Sequence, residues 1–201
     1  MTIFVDYIYI KIKSIYNYIM TEAFINVINS VPEEYRYLLK HRLLVIPSNI
    51  FFPEFTKFKD TYIHFIKNSK NSEINLMHKF STCNPIEIKK CSEINVLLYP
   101  FVREFYELFY NKYPHYYAGF GIYYSQNVQK NLDLHKDDSL YTINMCLENT
   151  SENNEIVFNI NNKEIPVYLK EDMMLIHLGS QAHYTKSIEN GNRTNIIMWF
   201  K

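Results

Sequence analysis

Apolar residues recur at helical spacing through the first part of the chain and then change period. Ile8, Ile12, Ile15 and Ile19 mark one amphipathic face, and Ser30-Val31-Pro32-Glu33 has the form of a capping box opening a second helix with Leu38, Leu39 and Leu43 inward. Leu44-Val45-Ile46 and Asn49 to Phe52 read as short extended pieces around Pro47, and a helix from about Pro53 buries Phe55, Phe58, Tyr62 and Phe65. Between Ser92 and Lys112 the positions Ile94, Leu98, Phe101, Phe105 and Leu108 keep the helical period through Pro100, where a kink or break is expected. After Pro114 the apolar runs shorten to strand length, near 117–125, 131–136, 140–148, 154–160, 163–169, 173–178, 182–188 and 194–200. Asn153-Asn154, Asn161-Asn162, Glu171-Asp172 and Asn190-Gly191-Asn192 supply the connections. The expected fold is mainly β with N-terminal helices, a double-stranded β-helix (jelly roll) buttressed by helices. Residues 1–115 form the helical support region and 116–201 the jelly roll, together one compact unit.

Composition narrows the partners. With 21 Lys+Arg against 21 Asp+Glu among 201 residues, the chain lacks the basic field that draws nucleic acid or anionic lipid, so neither is expected as a partner. A hydrophobic share of 47% is ample for a packed core and excludes disorder. Cys83, Cys91 and Cys146 are an odd set without a CxxC pair, which points away from disulfides and thiolate zinc and toward a reducing compartment. The run Met1 to Ile10 lacks a positive n-region and a small-residue cleavage site, and Asp6, Lys11 and Lys13 interrupt its apolar character; neither signal peptide nor membrane span is read, and a cytoplasmic location is expected. The triplets Asn149-Thr150-Ser151 and Asn192-Arg193-Thr194 arise easily in an Asn-rich chain and do not alter that reading.

His135-Lys136-Asp137 sets an imidazole and a carboxylate two apart at the end of a strand, where both face one interior point while Lys136 faces out. His183, at the start of the seventh strand, completes a two-His, one-carboxylate set, the facial triad of non-haem Fe(II) oxygenases. Three protein ligands leave three metal positions, two for an oxo-acid cosubstrate and one for dioxygen, where a closed structural zinc site would use four ligands. A His-x-Asp and a later His recur by chance, so Arg193 matters. It lies on the last strand with Asn195 on the same face, and its fork matches the distal carboxylate of 2-oxoglutarate. The competing reading pairs Arg193 with Glu189 or Asp172 at the surface.

Taken together, Gly119-Phe120-Gly121-Ile122-Tyr123-Tyr124, His135-Lys136-Asp137-Asp138-Ser139 and Tyr141-Thr142-Ile143-Asn144-Met145-Cys146-Leu147 resemble the catalytic domain of 2-oxoglutarate/Fe(II)-dependent oxygenases of the prolyl and lysyl hydroxylase group. The stretches Leu175-Ile176-His177-Leu178-Gly179, His183, and Gly191-Asn192-Arg193 through Phe200 are similar to the same group, particularly to procollagen lysyl hydroxylases and related small oxygenase-domain proteins. The resemblance covers roughly residues 117–201. It implies hydroxylation of a peptide, protein or small-molecule substrate, with Fe(II), 2-oxoglutarate and dioxygen as the reacting groups and ascorbate as an accessory reductant. It also implies His135, Asp137 and His183 as iron ligands, Arg193 as the carboxylate clamp, Tyr124 and Thr142 as lining of the cosubstrate pocket, and Asn144 as a polar neighbour on the same strand. Where relatives carry a Gly-rich turn with an acidic residue before the fourth strand, this chain has Ser151-Glu152-Asn153-Asn154-Glu155, a turn expected near the mouth of the pocket, where it bears on substrate choice.

His177 reads as a hydrogen-bonded core histidine beside the ligands, Asp138 points to the opposite face from Asp137, and a one-residue slip would exchange Tyr123 for Tyr124 in the pocket. His41, His64, His78 and His115 have no partner motif; Cys146 and Trp199 read as core residues. Two alternatives are a non-catalytic jelly roll that binds a metal or partner and a nucleic-acid demethylase. The triad with Arg193 argues against the first, and neutral charge and the final strand Ile196 to Phe200, which lacks the second Arg such demethylases carry, against the other.

Overall fold

A computed structural model describes residues 25–50, 55–68, 114 and 116–201. The stripe Ile8 to Ile19, the segment Ser92 to Lys112 with its kink at Pro100, and His78, His115, Cys83 and Cys91 lie outside the described residues.

The described strands are β1 (Leu44–Pro47), β2 (Tyr116–Ser125), β3 (Leu132–His135), β4 (Tyr141–Asn149), β5 (Ile156–Ile160), β6 (Lys163–Val167), β7 (Met173–Leu178), β8 (His183–Thr185) and β9 (Asn192–Phe200). Their antiparallel pairing builds a five-stranded sheet in the order β1-β7-β4-β9-β2 and a four-stranded sheet in the order β3-β8-β5-β6. This is the expected jelly roll, and β2 to β9 fall on the eight expected strands within a few residues at each end. The larger sheet takes β1 from ahead of residue 116: Leu44, Val45 and Ile46 are fully buried and pair with Ile176, Leu175 and Met174. β8 is shorter than expected because after Thr185 the chain turns to its neighbour loop, Lys186 N–H donating to the Glu155 carbonyl.

The capping box does not form. Ser30 Oγ donates back to the Val27 carbonyl, Pro32 occupies the cap position without a side-chain bond, and Glu33–His41 is a 3-10 helix that ends on Arg42 in the left-handed region. Leu38 and Leu43 are buried as expected, and Leu39 is partly so. Helix α1 (Phe55–Asn68) lies against the larger sheet, with Ile66 buried facing Gly121 and Tyr62 and Ile63 packed on the core. The burial expected of Phe55, Phe58 and Phe65 falls outside the described side chains. Among the described residues no helix is long and apolar enough to cross a membrane.

Candidate metal and cosubstrate site

Between the two sheets lies a pocket partly open to solvent. Phe120, Ile122 and Tyr124 of β2, Thr142 and Asn144 of β4, His177 of β7 and Ile197 of β9 line it from the larger sheet; Leu132 and His135 of β3, Ile156 of β5 and His183 and Thr185 of β8 line it from the smaller. Strand alternation explains most of the set, since residues two apart share a face. β3 departs from it. Leu132 pairs with Thr185 and His135 with His183, so three residue steps on β3 oppose two on β8, and this bulge lets both Leu132 and His135 face the pocket while Leu134 is exposed. β3 ends at His135, and Asp137 sits on the following loop, its N–H donating to the Gly179 carbonyl at 3.0 Å.

His135, Asp137 and His183 converge, with one ligand atom from each lying within 4.8 Å of the others. His135 Nδ1 contacts the Asp133 carbonyl at 2.7 Å and His183 Nδ1 the Gln181 carbonyl at 3.0 Å. A carbonyl only accepts, so both Nδ1 atoms carry the proton and both Nε2 lone pairs are left for the pocket, the tautomer a metal ligand needs. Asp137, 9% exposed, keeps Oδ1 3.5 Å from His135 Nε2 while its Oδ2 accepts the Thr142 hydroxyl at 2.6 Å. Burial alone would raise the Asp137 pKa, but its interactions with His135, His177 and His183 and with the Thr142 hydroxyl outweigh it and hold it at about 2. Burial, helped by neighbouring His177, pushes His183 down to about 3; burial also works to lower His135, but its bond to Asp137, the Asp133 carbonyl and the Asp137 charge together outweigh it and raise it. One anionic carboxylate facing two imidazoles, one of them held neutral, is a donor set that fits a first-row divalent metal.

His177 is buried in the same wall, its Nδ1 donating to the Leu178 carbonyl and its Nε2 3.7 Å from Asp137 Oδ2. Phe158 packs on it edge-on and lies nearly parallel to His183. Asp138 points outward to Lys201 at 2.6 Å. Tyr124 faces the pocket, whereas Tyr123 faces the opposite side of the sheet, where Lys67 lies over its ring. Neither His41 nor His64 lines the pocket; Cys146 is buried in the core with its thiol pushed up to about 12 by burial. Trp199 is only half-buried, set edge-to-face on Phe120.

Arg193 is 0% exposed and has no carboxylate partner among the described residues. Asp172 is paired with Lys59 instead, which removes one surface pairing the sequence had allowed. Nη1 donates to the Asn154 carbonyl at 2.7 Å, Nη2 lies 3.5 Å from Thr185 Oγ1, the guanidinium covers the Tyr124 ring at 4.7 Å, and Nε has no acceptor. A fully buried cation with an orphan donor calls for an anion, and a carboxylate matches its planar fork. Asn144 lines the pocket, opposite Ile197 on β9, its Oδ1 accepting Asn195 Nδ2 at 2.6 Å, which turns its own amide NH2 away from that bond. Thr142 does not reach Arg193 in any recorded bond; its hydroxyl serves Asp137 and meets Ser139 Oγ at 2.9 Å.

The sequence matches no protein-family model and no curated protein. Solved structures do match. The non-heme alpha-ketoglutarate-dependent epimerase SnoN from nogalamycin biosynthesis superposes with a TM-score of 0.58 at 10% identity, over 90% of this chain and 83% of that one. The viral collagen prolyl hydroxylase of Paramecium bursaria Chlorella virus 1 gives 0.53 at 13% identity, over 79% and 94%. The prolyl-4-hydroxylase of Pseudomonas putida gives 0.52 at 10%, over 89% and 93%. The fold is that of the 2-oxoglutarate/Fe(II) oxygenases. Leu132, Ser139 and Asn154, which the sequence reading did not single out, join the site through a strand bulge, a hydroxyl relay and a main-chain carbonyl.

Proposed function

We propose that this protein is an Fe(II)- and 2-oxoglutarate-dependent dioxygenase that hydroxylates a protein or peptide side chain in the manner of lysyl and prolyl hydroxylases. The observation that carries the reading is a converging His135-Asp137-His183 set together with a fully buried Arg193 that lies against Tyr124 and Thr185 of the same pocket's lining and has no carboxylate partner among the described residues. An oxo-dicarboxylate bound to a metal would use both.

In this reading His135 Nε2, Asp137 Oδ1 and His183 Nε2 hold the metal on one face. When bound, Fe(II) and 2-oxoglutarate supply dioxygen activation, with carbon dioxide released, one oxygen atom ending in succinate and the other in the hydroxylated product. Asp133 and Gln181 hold the two imidazoles in the required tautomer through their carbonyls. Thr142 occupies Asp137 Oδ2 and so keeps Oδ1 as the ligand atom. Arg193 donates to the distal carboxylate, with Tyr124 as the face on which the guanidinium rests, and the Asn144 amide donates alongside. Phe120, Ile122, Ile156 and Ile197 exclude water around the cosubstrate's methylenes. Ascorbate would be an accessory reductant. The test is aerobic incubation with Fe(II), ascorbate and labelled 2-oxoglutarate, with and without lysyl and prolyl peptides. Peptide-stimulated succinate supports the reading, and the absence of succinate above a metal-free control contradicts it.

A further inference from the structure

The turn that departs from the pattern of its relatives packs where the sequence did not place it. Residues Ser151 to Glu155 carry the main-chain carbonyl that meets the Arg193 guanidinium, and their attachments are specific. Ser151 donates through N–H and Oγ to Asn149 Oδ1, its carbonyl accepts the Tyr168 hydroxyl at 2.6 Å, and Glu152 N–H reaches Asn190 Oδ1. Within this strapped turn Asn154 is 0% exposed. Its carbonyl accepts Arg193 Nη1 at 2.7 Å, and its side-chain Nδ2 donates to the Lys186 carbonyl at 2.8 Å, just past β8. Both ends of the residue are therefore fixed, one to the guanidinium and one to the strand that carries His183 and Thr185.

That arrangement settles how the fork is presented. Of the guanidinium nitrogens, Nη1 is occupied by a main-chain carbonyl, Nη2 is held only loosely by Thr185, and Nε is without an acceptor. A neutral carbonyl orients the cation without cancelling its charge, whereas an acidic side chain at the same place would form an ion pair and compete with an incoming carboxylate. Resting on the assignment of Arg193 to the cosubstrate's distal carboxylate, we propose that Asn154 is a positioning residue for that clamp. The glycine-free turn thus bears on cosubstrate hold.

Pyruvate separates this role from a merely structural one, because it shares the 2-oxo acid head that chelates a metal and lacks the distal carboxylate. Affinities of 2-oxoglutarate and pyruvate are measured by titration calorimetry on anaerobic Mn(II)-loaded protein, for wild type, Arg193→Lys, Asn154→Ala and the isosteric Asn154→Asp. Asn154→Ala keeps the carbonyl but removes the Nδ2 bond to Lys186 that holds it against Arg193 Nη1, and this is expected to weaken 2-oxoglutarate by about tenfold, with pyruvate unchanged. Asn154→Asp, which loses the bond to Lys186 and adds a rival anion beside Arg193, is expected to weaken 2-oxoglutarate further, again with pyruvate unchanged. If Arg193→Lys loses affinity for 2-oxoglutarate while both Asn154 variants keep it, or if the Asn154 variants weaken the two ligands equally, the positioning role is overturned and the clamp stands. If wild type binds 2-oxoglutarate no more tightly than pyruvate, the clamp itself falls and the positioning role with it.

Discussion

Asp137 has two unlike oxygens, and the difference is set by one hydroxyl. Thr142 donates to Oδ2 at 2.6 Å and itself meets Ser139 Oγ at 2.9 Å, so the carboxylate is turned with Oδ1 toward His135. Thr142→Val keeps the shape and removes the donor. It is expected to weaken Mn(II) binding, read by electron paramagnetic resonance titration, by about 10- to 100-fold, with Thr142→Ser restoring most of it. Protonation gives a second handle at this scale. In the metal-free protein His183 is held at about 3 by burial, against 6.5 for an ordinary histidine, so between those values the unfolded chain takes up a proton that the folded one refuses. Its contribution is fully present above pH 6.5 and is lost as pH falls toward 3. Asp137, lowered from 3.8 to about 2, acts in the same direction at the acid end. His135 is raised and acts oppositely: its contribution is present below 6.5 and fades as pH rises through its folded value. Unfolding free energy of the metal-free protein should therefore decline as pH is lowered from 6.5 toward 3, and His183→Gln should flatten that decline. An unchanged pH profile in the variant would show that His183 is not buried neutral.

Element geometry decides whether those side chains meet. Gly179 ends the β7 turn with its carbonyl on Asp137 N–H, and a Cβ there would collide with the main-chain carbonyl of Ser139. Since both contacts are with the loop that carries Asp137, Gly179→Ala should cost about 1–3 kcal/mol in a denaturant melt and weaken Mn(II) binding along with it. A matched loss of stability with unaltered metal affinity would uncouple the loop from the site. The β5–β6 hairpin turns on Asn161 and Asn162, both with positive φ, as a two-residue turn of the twist-matching kind requires. Those asparagines were legible as a connection, and so were the strands on either side, because apolar alternation and turn residues are local signals. That His135, Asp137 and His183 come together and that Arg193 is buried were likewise legible, from the two-residue spacing at a strand end and the inward alternation of β9, although Asp137 itself sits on the loop after β3. The bulge in β3 was not, because an extra residue on one strand becomes visible only against its partner β8. The pairing of Leu44–Pro47 with β7 was not either; a four-residue apolar run does not name a partner that lies far along the chain. Ser30 bonds back to Val27 in place of capping forward, a choice between two local acceptors that the motif alone cannot make. Asn154 escaped notice because it acts through a main-chain carbonyl that every residue possesses.

For the molecule as a whole, the two sheets supply different halves of the site. His135 and His183 come from the smaller sheet, Thr142, Tyr124 and Arg193 from the larger, and Asp137 from the loop between β3 and β4. A metal with its cosubstrate would therefore tie the sheets together, and ligands that bind only the folded state raise its stability by mass action. Mn(II) and 2-oxoglutarate added together should raise the melting temperature by more than the sum of their separate effects in wild type, and no more than additively in Arg193→Lys. The most direct measurement is the rate of succinate formation from labelled 2-oxoglutarate, with Fe(II) and air, by wild type and by Asp137→Asn, with the melting temperature of each recorded alongside. Asp137→Asn keeps the shape and removes the one anionic ligand, so succinate production should collapse in the variant at nearly constant melting temperature. A wild type that makes no succinate above a metal-free control, with the substitution altering only stability, would contradict the assignment of this pocket to oxygen chemistry.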